Sequence, residues 1–160
     1  MANIGFHQAM NQAGITVRTT AVGDRYVLED MNAGSFSLGG EQSGHLILAE
    51  HATTGDGLLT ALHLMAMVAE TGRPLAELAS VVVRYPQVLI NVRVSDKVAV
   101  AASEEVQSIV AQVTAELGDE GRLLLRPSGT EPLVRVMVEA GTDEIAQAAA
   151  ERVAKVVAAV

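Results

Sequence analysis

The sequence contains no cysteine, which excludes a disulfide framework and any thiolate-held metal and is compatible with a reducing cytosol. Positive charge is scarce as well. Eleven Lys and Arg stand against 19 Asp and Glu, giving a net charge of −8, and no stretch gathers the basic residues, so nucleic acid is not an expected partner. Long apolar runs are missing too: the richest, Leu58 to Ala69, is broken by Thr60 and His63 and is shorter than the ~20 residues of a membrane-spanning helix. No membrane partner is expected. The N-terminus shows no basic region followed by an apolar one, so no signal peptide is read there.

What is present is apolar. Of 160 residues 49% are hydrophobic and only 19% charged, with a mean hydropathy of +0.30. That supplies a core for a soluble globule of one ordinary domain or two small ones. It also exceeds what a small domain needs if all its surface meets water, so some surface is expected to meet a partner, with self-association into a homo-oligomer one way to do so.

Phe6, Ala9, Met10 and Ala13 recur at helical spacing between a capping Asn3 and a terminating Gly14. Ile15, Val17 and Thr19 then alternate as a strand, followed by Gly23-Asp24-Arg25, where a second helix can begin. A strand ending in a Gly turn at a helix N-terminus is a candidate anion site. Phe36–Leu38 and Leu46–Leu48 are brief strand-like runs flanking a loop with three glycines, Gly39-Gly40-Glu41-Gln42-Ser43-Gly44-His45. Asp56 to Glu70 reads as a helix that is apolar on nearly every side and wants cover on more than one face. The first helix has no strand before it, although the crossover logic of an α/β sheet expects one, so Met1 is read either as internal to a longer protein or as a truncated start.

Arg84-Tyr85-Pro86-Gln87 reads as a linker, with one unit over residues 1–83 and another over 88–160. The second unit runs strand (Val88 to Val94), helix behind Ser103, two strands (Leu123 to Arg126, Val134 to Val138) and a helix from Thr142. That order predicts an α+β layer: an antiparallel sheet with two helices on one face. The fold class is thus an incomplete α/β domain followed by a small α+β domain.

Two loops carry candidate chemistry. Arg126-Pro127-Ser128-Gly129-Thr130-Glu131-Pro132 combines a guanidinium, two hydroxyls and backbone N–H groups bent together by Gly129, the parts of a phosphate cradle. Strand alternation adds Arg135, opposite the core-facing Val134, Val136 and Val138. A plain hairpin turn rich in Ser, Gly, Thr and Pro is the competing reading. Glu41, Ser43 and His45 alternate, which aims them together in an extended segment, and a carboxylate suits vicinal sugar hydroxyls. An ordinary glycine-rich turn remains the alternative, and one His with one Glu is too few for a metal site. Asp56 is read as a helix cap, and the single carboxylate of Gly55-Asp56-Gly57 makes a weak Mg²⁺ signal. His7, His51 and His63 stand alone and are read as structural.

In their order and about eighty residues apart, Gly39-Gly-Glu-Gln-Ser-Gly-His45 and Arg126-Pro-Ser-Gly-Thr-Glu-Pro132 resemble the corresponding loops of the α-D-phosphohexomutases. The likeness covers the whole chain. Asn3 to Ala13, Val22-Gly-Asp-Arg-Tyr-Val27 and Thr54-Gly-Asp-Gly57 look like the bacterial branch acting on glucosamine phosphates, whereas relatives acting on glucose or mannose phosphates more often have Met for Gln42, Asn for Gly129 and His for Asp24. The resemblance implies that residues 1–83 are part of the family's third domain and 88–160 its fourth. It makes Glu41, Ser43 and His45 ligands of the sugar, Asp24 and Arg25 contributors near the reacting end, and Arg126, Ser128, Gly129, Thr130 and Arg135 the clamp on the phosphate that is not transferred.

The implied parent is a cytoplasmic isomerase. It interconverts glucosamine 6-phosphate and glucosamine 1-phosphate through a bisphosphorylated sugar, using a phosphoserine and Mg²⁺, toward cell-wall precursors. The family's Ser-His-Asn-Pro and Asp-Gly-Asp type loops do not occur in these 160 residues. The chain is therefore expected to bind a phosphosugar without catalysing transfer, and to depend on N-terminal domains of the parent. Two alternatives stay open: part of a mutase acting on glucose or mannose phosphates, or a stand-alone phosphosugar-binding module.

Overall fold

Asn3 opens the first helix by accepting a hydrogen bond from the Gly5 amide at 3.1 Å, satisfying one of the N–H groups a helix start leaves without an internal partner. This geometry comes from a computed structural model that describes residues 2–160 and divides the chain into two units, Met1–Val83 and Arg84–Val160.

The first unit holds α1 (Ile4–Gln12), α2 (Asp24–Gly34), β1 (Leu38–Gly40), β2 (Leu46–Leu48), α3 (Gly57–Thr71) and α4 (Leu75–Ala79). β1 and β2 form an antiparallel ribbon with Gly40 opposite Leu46. α2 lies so close to β1 that a side chain on Gly39 would collide with the Met31 sulfur. α3 starts where expected, with the Asp56 carboxylate accepting from the Leu59 amide at 3.0 Å, and ends at Gly72 in the left-handed region with φ 64°.

Two expectations fail here. Residues 15–20 form no strand, because among the described residues no strand pairs with them and a strand needs a ladder partner. The β1 run begins at Leu38 rather than Phe36. The helix α4 was not anticipated at all: Pro74 stops α3 but also sits well as the residue that begins a new helix.

The second unit holds β3 (Gln87–Arg93), α5 (Lys97–Ala102), α6 (Glu104–Leu117), a 3₁₀ turn (Gly118–Glu120), β4 (Arg122–Pro127), β5 (Leu133–Glu139) and α7 (Asp143–Ala159). Its antiparallel sheet has the order β3-β5-β4. Val92, Leu123, Val134, Val136 and Val138 from the sheet meet Val106 and Val113 of α6 and Ala146, Ala150, Val153 and Val157 of α7 in one closed core. The helix count is corrected from two to three. Ser103 ends α5 and, by accepting from the Val106 amide at 3.3 Å, caps α6, which splits one apolar run into two helices.

Candidate phosphate clamp and sugar loop

The clamp is built on the β4–β5 hairpin. Ladder pairing sets Arg126 directly opposite Arg135, on the sheet face turned away from the valine core. Like charges directly opposite on adjacent strands destabilise a sheet, so this pair calls for an anion. Glu131 answers one of them only, its Oε2 lying 3.3 Å from Arg135 Nη2. Among the described residues the Arg126 guanidinium has no hydrogen-bond or ion-pair partner.

Between the arginines and the loop lies a cavity of about 160 Å³ lined by Arg126, Pro127, Ser128, Gly129, Thr130 and Arg135. That is well below the ~300 Å³ at which small-molecule pockets begin, so it suits a phosphate group rather than a whole phosphosugar. Ser128 is buried. Its amide donates to the Leu133 carbonyl at 2.9 Å, and its Oγ accepts from the Glu131 amide at 3.3 Å and, weakly, from Arg135 Nη2 at 3.5 Å. Ser128 therefore organises the turn, and its own O–H is left to donate into the cavity it lines. Gly129 lies in the bend formed by residues 129–132, but its backbone is not left-handed and an added Cβ would meet open space, so the bend does not demand a glycine and the missing side chain leaves the loop uncovered.

Sequence reasoning missed Lys97. Its Nζ donates to the carbonyls of Ser128 at 2.5 Å and Glu131 at 3.1 Å, with that of Gly129 at 3.4 Å. A signal was available, because Lys97 occupies the first turn of a helix, where the dipole disfavours a cation.

In the first unit Glu41, Ser43 and His45 do converge, but by a different route from the one expected. The segment is a tight turn rather than an extended strand: the Glu41 amide donates to the His45 carbonyl at 3.0 Å and the Gly44 amide to the Glu41 carbonyl at 3.1 Å. Gly44 makes this possible at φ 97°, a conformation that disfavours a side chain. The Ser43 hydroxyl donates to Glu41 Oε1 at 2.7 Å and stands 2.9 Å from His45 Nδ1. With its proton given to the carboxylate, Ser43 Oγ can only accept, which fixes the proton of a neutral His45 on Nδ1. Ser43 and His45 are exposed and Glu41 half-buried, and the trio is mutually satisfied, so hydroxyl ligands would exchange for these bonds rather than fill empty valences.

Asp24 and Arg25 sit at the start of α2 and make no bond with that trio. Arg25 Nε instead donates to Glu29 Oε1 at 2.8 Å, and this hydrogen bond, then the charge of Glu29, raises the guanidinium above its ordinary value. His51 and His63 are not isolated: their rings lie 4.9 Å apart. A larger cleft of about 400 Å³, between α1 and the segment after it, is lined by His7, Asn11, Gly14, Ile15, Thr16 and Val17 and contains none of the candidate site residues. Among the described residues no three His, Cys, Asp or Glu gather to hold a metal ion, and the Asp56 carboxylate is engaged in capping α3. These side chains do not fit a Mg²⁺ site. Among the described residues no helix is long and apolar enough to cross a membrane.

Each of the two units matches a known family model. Residues 1–85 match the family model "Phosphoglucomutase/phosphomannomutase, alpha/beta/alpha domain III", and residues 89–156 match "Phosphoglucomutase/phosphomannomutase, C-terminal domain". The chain belongs to the phosphohexomutase family. Among its relatives is a phosphoglucosamine mutase from Frankia casuarinae, 65% identical over 157 residues that cover 98% of this chain and 34% of that protein. A structure of Aspergillus fumigatus N-acetylphosphoglucosamine mutase superimposes over 96% of this chain and 36% of that one with a TM-score of 0.81 at 20% identity. A second structure of the fungal enzyme, in complex with GlcNAc-6P and magnesium, covers 67% of this chain and 22% of that one at 28% identity and a TM-score of 0.56. The chain spans about a third of the length of the curated relatives it matches.

Proposed function

We propose that this chain is the C-terminal part of a phosphoglucosamine mutase and that its task is to hold the phosphosugar. Arg126, Ser128, Gly129, Thr130 and Arg135 clamp the phosphate that is not transferred, and Glu41, Ser43 and His45 take the sugar hydroxyls, with Asp24 and Arg25 nearer the reacting end. The observation that carries this reading is the Arg126–Arg135 pair, two guanidinium groups opposed across a ladder beside a cavity of phosphate size. A dianion between them removes their repulsion and receives charge-assisted, partly bidentate hydrogen bonds. The high identity to enzymes named phosphoglucosamine mutase supports the amino-sugar substrate. Mg²⁺ and the bisphosphorylated activator belong to the parent, where the metal would stabilise charge on the transferring phosphoryl group. Residues 1–83 then supply part of the third domain and 88–160 the fourth, joined through 84–87, and the N-terminal domains of the parent cover the apolar surface of the first unit.

The test has two arms. The 160-residue chain, given Mg²⁺ and glucose 1,6-bisphosphate, is expected to show no mutase turnover, and turnover above a no-protein control that survives repurification would sink the binding-only role. In titrations followed by amide shifts, glucosamine 6-phosphate should move residues 126–135 and 41–45, and inorganic phosphate only the former. Equal response to glucose and mannose phosphates would remove the amino-sugar assignment and leave the clamp.

A further inference from the structure

Lys97 does not behave as a first-turn helix residue should. Asp96 caps α5 by accepting from the Val98 and Ala99 amides, each at 3.0 Å, and the cation beside it has no carboxylate partner among the described residues. Its ammonium spans 31 positions of sequence to reach the Ser128 carbonyl, and its three donors match the three carbonyls of Ser128, Gly129 and Glu131.

The consequence follows from peptide geometry. In a planar trans peptide the C=O and the next N–H point in opposite directions, and among the described residues no peptide bond is cis. Drawing the Ser128 and Gly129 carbonyls onto Lys97 therefore turns the amides of Gly129 and Thr130 the other way. Neither amide has a partner among the described residues. Both residues line the 160 Å³ cavity, and Lys97 does not. The third carbonyl, that of Glu131, precedes Pro132, which has no N–H, so that contact anchors the turn without aiming a donor.

We propose that Lys97 is a positioning residue of the phosphate clamp, pinning the carbonyls of 128–131 so that the Gly129 and Thr130 amides are presented to a phosphate monoester. It rests on the clamp reading given above. Lys97 acts without touching the ligand: it removes partial negative charge from the anion's side of the loop and fixes the loop in its donating conformer before the anion arrives, lowering the ordering cost of binding.

The experiment uses the 160-residue chain, with inorganic phosphate as the probe and the Gly129 and Thr130 amide resonances as the readout. In the wild type both should shift on titration. Lys97→Met, of similar length and uncharged, should bind phosphate about five- to tenfold more weakly, the equivalent of about one hydrogen bond, and its bound-state Gly129 and Thr130 shifts should differ from wild type while the thermal midpoint of the second unit holds. A general loss of stability would lower apparent affinity but leave those bound-state shifts unchanged. Lys97→Arg keeps the charge, yet its planar fork cannot point three donors at three converging carbonyls, so it should fall between the two. If the wild type binds at these amides and Lys97→Met matches it in affinity and shifts, the positioning role is wrong and the clamp stands. If phosphate leaves the wild-type amides unmoved, the clamp reading falls and this inference with it. Should Lys97→Met fail to fold, Lys97→Arg decides: wild-type affinity and shifts overturn the proposal, and an intermediate affinity supports it.

Discussion

Two helices of similar length, α3 with 15 residues and α7 with 17, end up in opposite circumstances. α7 buries Ala146, Ala149, Ala150, Val153, Ala154 and Val157 in a stripe at helical spacing, so one face meets the sheet and the other meets water. α3 is the more apolar sequence and buries nothing, with Leu58 at 73% and Met65 at 58% exposure. Apolar content therefore does not make a core. A core needs a facing surface of matching pattern; the β3-β5-β4 sheet supplies one to α7, whereas α3 meets the short β2 and the His51 ring, contacts that leave none of its residues buried. The second unit closes its core. The first leaves its apolar helix open.

The sharpest way to break this comparison is to introduce an aspartate into the closed core of one unit and onto the open apolar face of the other. Val136→Asp puts an unpaired carboxylate into a fully buried position and should cost more than about 4 kcal/mol, unfolding the second unit. Met65→Asp, on the open face of α3, should cost less than about 1 kcal/mol, chiefly helix propensity. Denaturant melts with amide exchange would read each unit separately, and protected β5 amides in Val136→Asp would refute the closed core.

Next in size is Arg126→Ala, which separates binding from folding. Removing one charge-assisted contact should cost roughly 1.5 to 3 kcal/mol of phosphosugar binding, about ten- to over a hundredfold. Stability should not fall and should rise by about 0.2 to 1 kcal/mol, because the like-charge pair with Arg135 is gone. Arg126→Lys should bind at an intermediate level. Glu41→Gln is the control from the first unit, with sugar recognition impaired and affinity for inorganic phosphate intact. Calorimetry that found unchanged phosphosugar affinity in Arg126→Ala, with the circular dichroism of the native fold, would return the loop to an ordinary hairpin turn.

The two loops also differ in how legible they were. Both were found by residue type, since the chemistry of a guanidinium or a carboxylate travels with its letter. Their backbones were not. Gly129 lies in its loop's bend without needing a left-handed backbone, whereas Gly44, one glycine among three in its loop, holds the left-handed turn that brings Glu41, Ser43 and His45 together. Ile15–Thr20 alternates like a strand, but alternation states only which side chains share a face and leaves the ladder partner unspecified. The second unit was read almost element for element because each strand's apolar face has its partner within the 77 residues of the same unit. Lys97 was missed because its partners are carbonyls, which every residue has.

Hence a smaller, cleaner contrast. Gly44→Ala forces a side chain into φ 97° and should cost about 1 to 2 kcal/mol of local stability in the sugar loop. Gly129→Ala, with open space around its Cβ, should change stability by less than about 0.5 kcal/mol. Equal effects in a differential melt would mean that the two glycines play the same part.

The smallest expected effect concerns the ion pairs. Arg152 grips Glu116 with two hydrogen bonds, 2.5 and 3.0 Å, fastening α7 to α6, while in the first unit Arg18 reaches Asp30 through one, at 2.9 Å. The Arg152 hydrogen bond lowers the Glu116 carboxyl below its ordinary 4.5, with the charge of Arg152 and a bond from Gln112 adding to it against desolvation. A carboxylate lowered by folding stabilises the fold in full above its unfolded value, and that share is lost as pH falls through the folded value. The pair is exposed and solvent-screened, so the share is small. Glu116→Gln should therefore melt slightly lower than wild type near neutral pH, and the difference should shrink as pH is taken below about 4.5. It should be confined to exchange in α6 and α7, leaving the residues around Arg18 and Asp30 as they were. A difference that grew on acidification would show that Glu116 is raised rather than lowered by folding, and that the bidentate bridge is not formed in solution.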